Sequence, residues 1–158
     1  MTPTESQKTI RPLLRMLWPV ALLLSLFLTA GVAVAQDNDL DLREANVTAV
    51  SVSRSGESYR FDVTLIHDDE GEPEYADWWQ VETLGGRELG RRTLLHPHGT
   101  REFTRSETIR ISPDLERVVV RGHDQTHGYG GQAMIVNLET GEHEVIDQGP
   151  EPQDMSNR

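Results

Sequence analysis

Six histidines are the main source of reactive chemistry in this 158-residue chain: His67, His96, His98, His123, His127 and His143. Imidazole titrates near neutral pH and is a common ligand for zinc, copper, iron and nickel. Five of the six fall in three short segments. His96-Pro97-His98 places two rings on the same side of an extended backbone, because side chains alternate faces along a strand. Pro97 holds His96 in the extended region. His123-Asp124-Gln125-Thr126-His127 supplies two more rings, with Asp124 placed to ligate or to orient an imidazole. Gly128-Tyr129-Gly130-Gly131 follows, a stretch in which the backbone can turn sharply. His67 opens the acidic run Asp68-Asp69-Glu70-Gly71-Glu72.

There is no cysteine, so thiolate ligands and thiol redox chemistry are excluded. Met134 is the only methionine near these segments, which argues against a thioether copper(I) site. The donor set His67, His96, His98, His123 and His127, with Asp124, suits copper(II) or zinc. Calcium is a weaker expectation, because the acidic run lacks the ligand spacing of an EF-hand loop and reads more simply as a solvated loop. A purely structural reading stands beside the metal one. Imidazoles at strand ends pair with carboxylates such as Asp68, Asp69 and Asp124, and so order loops.

Residues so far apart converge only if strands deliver them. Short alternating runs, separated by turn residues, predict strands over 47–53, 59–67, 77–84, 88–96, 103–111, 116–123, 132–138 and 142–146. Tyr59, Phe61, Val63 and Leu65 share one face of the second run, and His67 continues their inward parity. Trp79 and Val81 face inward on the third run, with Trp78 facing out; Val118 and Val120 face inward on the sixth. Gly85-Gly86 and the loop ending at Gly141 read as hairpin turns, and Ser112-Pro113-Asp114 as a corner. The fold class is therefore all-β: an antiparallel sandwich of seven or eight strands, of the immunoglobulin or fibronectin-III kind, with an open barrel as the alternative. In an up-and-down order the second, fourth and sixth strands run the same way. Their ends then bring five histidines to one pole and leave His143 at the other.

The amino terminus has its own pattern. Lys8, Arg11 and Arg15 precede an apolar run, and Ala33-Val34-Ala35 closes it. A basic start, an apolar middle and small residues at the end mark a cleavable signal peptide over 1–35. The run is interrupted by Pro19 and is shorter than the ~20 residues a spanning helix needs. An acidic leader over 36–45 is expected to be flexible, the domain to occupy 46–148, and the proline-containing tail over 149–158 to be disordered. Without residues 1–35 the chain loses three basic residues and one acid, leaving 12 basic and 25 acidic, a net −13. Nucleic acid and anionic membrane surfaces repel such a chain. The expected location is periplasmic or secreted, with no membrane attachment after cleavage.

Four groups of residues carry a resemblance: Tyr75-Ala76-Asp77 with Trp79 and Val81; Leu89-Gly90 with Arg92, Leu94 and His96-Pro97-His98; Phe103-Thr104-Arg105-Ser106; and His127-Gly128-Tyr129-Gly130-Gly131. In these the chain resembles a family of small uncharacterised exported bacterial β-sandwich proteins. The resemblance implies an exported sandwich and no particular activity. In that family a histidine commonly precedes Tyr-Ala-Asp, where this chain has Glu74. Two functions are expected from the whole reading. One is binding of a divalent transition metal at the histidine pole. The other is a protein-interaction or assembly module of the cell envelope, with the histidines serving loop structure. No nucleophile motif surrounds Ser106 or Ser112, so an enzyme is not expected.

Overall fold

The computed structural model describes residues 40–69, 71–72 and 74–158. The signal peptide expected over 1–35 lies outside the described residues. The described residues contain eight strands and no helix. They are β1 (Asn46–Ser55), β2 (Ser58–Ile66), β3 (Ala76–Thr83), β4 (Glu88–Thr93), β5 (Phe103–Arg110), β6 (Arg117–Asp124), β7 (Gln132–Asn137) and β8 (His143–Asp147). Two antiparallel sheets result, β1-β2-β5 and β4-β3-β6-β7-β8. Three strands facing a sheet led by β4-β3-β6-β7 is the fibronectin-III arrangement of a sandwich, and β8 extends it by one strand.

Alternation decides the core. Tyr59, Phe61, Val63 and Leu65 of β2 are buried, opposite Trp79 and Val81 of β3, Val118 and Val120 of β6, and Met134 and Val136 of β7. Inward-facing side chains from two sheets fill the space between them, as in other sandwiches. Gly141 has the left-handed φ of 75° that closes the β7–β8 hairpin. β4 stops at Thr93 rather than reaching His96. Leu94 there turns into the core and donates its N–H to the Asp77 carbonyl at 2.8 Å. Leu95 is left 79% exposed.

Both described ends of the chain pack on the sandwich. In the leader, residues 40–45 fold against it. Ala45 is fully buried against Gly122, where any Cβ would collide with the Ala45 carbonyl. The Asn46 amide donates to the carbonyls of Asp41 at 2.8 Å and Glu44 at 2.7 Å, which folds the leader back on itself. The tail over 149–158 is also packed. Val119 of β6 with Ala133 and Ile135 of β7 form an apolar patch on the outer face of the larger sheet, and Met155 covers it. The Met155 N–H donates to the Leu84 carbonyl at 2.6 Å. One apolar residue with a matching patch suffices to hold an otherwise polar segment.

A second outer-face feature lies beneath the same tail. Arg121 and Glu82 are paired at 3.7 Å, each with 1% of its side chain exposed. Arg121 also donates to the Gln148 side chain at 2.7 Å and the Gly149 carbonyl at 3.2 Å. Burial lowers the affinity of Arg121 for its proton and raises that of Glu82; each charge partly offsets the other's shift.

Candidate functional site

Strand direction brings the histidine segments to one end of the sandwich. β2 ends beside the β6–β7 loop: His67, Asp124 and His127 line one small cavity of about 60 Å³, together with Arg43 and Glu74. The β4–β5 loop joins them through Asp69, which accepts the His98 backbone N–H at 2.7 Å. His96 packs on His98, with ring centroids 4.6 Å apart. His123 sits at the end of β6 near Gly128.

Sharing an end is not sharing a centre. Each ring has its own partners. His67 is almost fully buried; its Nδ1–H donates to Asp69 Oδ1 at 2.5 Å and its Nε2–H to the Arg43 carbonyl at 3.0 Å. Both partners are acceptors, an arrangement that favours the doubly protonated ring. Burial alone would depress the His67 pKa. The hydrogen bond and charge of Asp69, the charge of Asp124 and the Arg43 carbonyl outweigh it, and the pKa is raised. For Asp69, burial pushes up, while the bonds from His67, Ala76 and His98 prevail and hold the carboxyl below its ordinary range.

The other rings are occupied differently. His98 stacks on Phe103 at 3.9 Å, and its Nδ1 is buried without a hydrogen-bond partner. Burial lowers its pKa, helped by the charges of Arg105 and His96, so the ring is neutral. His96 is exposed and donates from Nδ1 to the Pro97 carbonyl at 2.9 Å. His123 donates from Nδ1 to Asp77 at 2.7 Å and stacks on Trp78 at 3.6 Å, with Tyr129 edge-on at 4.9 Å. His127 Nδ1 lies 3.3 Å from Asp124 Oδ1. That oxygen also accepts the N–H groups of Thr126 at 2.9 Å and His127 at 2.6 Å. Asp124 therefore shapes its own loop, and its second oxygen is buried without a partner. Among the described residues no three His, Asp or Glu side chains form a group able to hold a metal ion.

Two carboxylates matter more than the sequence suggested. Asp69 has no exposed side-chain surface and accepts from the His67 ring, the Ala76 N–H at 3.0 Å and the His98 N–H. It thereby ties the end of β2, the start of β3 and the β4–β5 loop to one point. Asp77 orients His123. In sequence Asp69 was one of three carboxylates able to pair with the strand-end imidazoles, and parity singles it out, since it lies two residues beyond inward-facing His67.

No family model matches the chain, and no solved structure matches it. The chain is similar to a Halomicrobium mukohataei protein named "Putative lipoprotein", with 61% identity over 118 residues, 74% of this chain. The match spans 59% of that protein's length.

Proposed function

We propose that this chain is a non-catalytic recognition domain exported to the cell envelope, presenting the loops of its histidine pole to a protein partner. The observation that supports it most is Asp69, whose buried carboxylate ties three segments of that pole together. Loops ordered before binding lose less entropy on association, which is what a recognition surface requires. Export is supported by the basic–apolar–Ala-x-Ala pattern over 1–35 and by the name of the similar protein. These 158 residues offer no cysteine to carry a lipid. The test is a photo-crosslinking residue placed at Thr126 or Thr100 in the producing cell. A discrete adduct with an envelope protein is expected. Crosslinking only from the opposite pole, or retention of the chain in the cytosolic fraction with its first 35 residues intact, would overturn the reading.

One observation favours a second reading, a bound transition metal. Asp124, one of whose oxygens is buried without a partner, lines a small cavity together with His127, Glu74 and His67. His67 contributes least there, because both its nitrogens already donate. Titration with zinc or copper(II) should then show binding tighter than about micromolar, abolished by Asp124→Asn with His127→Ala. Absence of such binding removes the metal and leaves the recognition reading intact.

A further inference from the structure

Basic groups gather where β4 and β5 meet. These are free edges, one from each sheet, since β4 pairs only with β3 and β5 only with β2. They pack tightly at Gly90, where a Cβ would press on Ile109 at 2.9 Å. Toward the pole they part, and a groove of about 390 Å³ opens between them. Arg91, Arg92, Arg105, His96 and His98 line it, with Glu107 as its one acid. The whole chain carries −11, so a wall with three arginines and one carboxylate runs against the rest of the molecule.

Two of these arginines have donors to spare. Arg92 approaches Glu107 only to 3.6 Å, too far for a hydrogen bond, and its buried Nε has no partner. A buried N–H left unpaired is costly and rare in folded proteins. Arg105 donates to the Thr104 carbonyl at 2.8 Å and, among the described residues, pairs with no carboxylate. Arg91 is already committed to Glu88 and lies over Trp78. Leu95, the most exposed large apolar residue among the described residues, forms part of the same wall.

From this arrangement we propose that the β4–β5 groove binds an extended acidic polypeptide segment, deepening the recognition reading above by naming the partner's chemistry. Planar guanidinium forks match carboxylates, and each adds geometric specificity as well as charge. Arg92 and Arg105 take two acidic side chains of the segment. Its backbone runs along the unpaired edges, which have hydrogen-bonding groups free to receive a strand. An apolar side chain between the acids covers Leu95. A small inorganic anion satisfies the arginines but leaves both Leu95 and the strand edges uncovered.

The probe is a short fluorescein-labelled peptide of alternating Asp and Leu, read by anisotropy against the purified protein. Saturable binding that weakens with added salt is expected. Arg92→Gln with Arg105→Gln should weaken it by about tenfold or more. Arg110→Gln removes one arginine charge from β5 outside the groove, and should leave binding unchanged. Leu95→Ser should weaken the peptide. Inorganic phosphate should displace it only at concentrations far above the peptide's Kd. The proposal fails if the peptide does not bind, if Arg110→Gln matches the groove variants, or if phosphate binds as tightly as the peptide. None of those failures touches the crosslinking result at the pole, so the two readings fail separately.

Discussion

Asp69 keeps its charge to lower pH than a free carboxyl although burial alone opposes that, and His67 beside it keeps its proton to higher pH than a free imidazole. The pair therefore stabilises the fold only within a pH window. His67 has a raised pKa, so its contribution is complete below the ordinary 6.5 and is lost as pH rises through the raised value. Asp69 has a depressed pKa, so its contribution is complete above the ordinary 3.8 and is lost as pH falls through the depressed value. Thermal melts should show the pair's full effect between those two ordinary values, with a decline on the alkaline side. His67→Gln should flatten that alkaline decline and cost about 3 kcal/mol, because it leaves a buried carboxylate without its cation. Adding Asp69→Asn should restore part of the loss, since an amide leaves no charge unpaired. Urea melts of the single and double variants decide it: a single-variant loss below about 1 kcal/mol would mean that the pair behaves as a solvated one.

At the scale of elements, the tail is the part that the fold adds without a strand. Met155 closes the patch of Val119, Ala133 and Ile135, and the same segment lies over Arg121 and Glu82. Met155→Ala should cost about 2 kcal/mol, the lower end for truncating a buried methionine. Hydrogen exchange should quicken on the outer-face amides near Leu84, while the core strand β2 keeps its order of protection. A variant as stable as the parent would show that the tail rests on the sheet without contributing. The strands themselves were legible in the sequence. Alternation at Tyr59, Phe61, Val63 and Leu65 identifies a half-buried strand without help from any other residue. Met155 was not legible, because a single apolar residue among prolines and acids has no period. Nor was the packed leader, which depends on Gly122 admitting the Ala45 backbone from a distant strand. The histidine pole was legible as a place, through strand direction. Its internal partners were not: Asp68, Asp69 and Glu70 look alike in sequence, and only register gives Asp69 the buried position.

Across the whole molecule, charge sets two responses to salt that should oppose each other. Residues 36–158 carry −13, and their acids outnumber their arginines by about two to one. Most of these arginines are matched locally: Arg43 with Asp41, Arg60 with Asp62, Arg91 with Glu88, Arg110 with Glu57, Arg121 with Glu82, and Arg117 and Arg158 with Glu144. The excess acids are left to repel one another over the surface, and salt screens that repulsion over a Debye length of about 8 Å at physiological strength. Added sodium chloride should therefore raise the melting temperature and level off once screening is complete. The buried His67–Asp69 pair is shielded from solvent ions, so the difference between the parent and His67→Gln should stay constant across the same series. The β4–β5 groove should respond the other way, because salt weakens the attraction of Arg92 and Arg105 for an acidic segment. Measured together, melting temperature should climb and peptide affinity should fall over one range of salt. A melting temperature indifferent to salt would mean that the surface acids are spaced too widely to strain the fold. The groove would then lose its contrast with its surroundings, and its basic wall would have to be judged on the Arg110→Gln comparison alone.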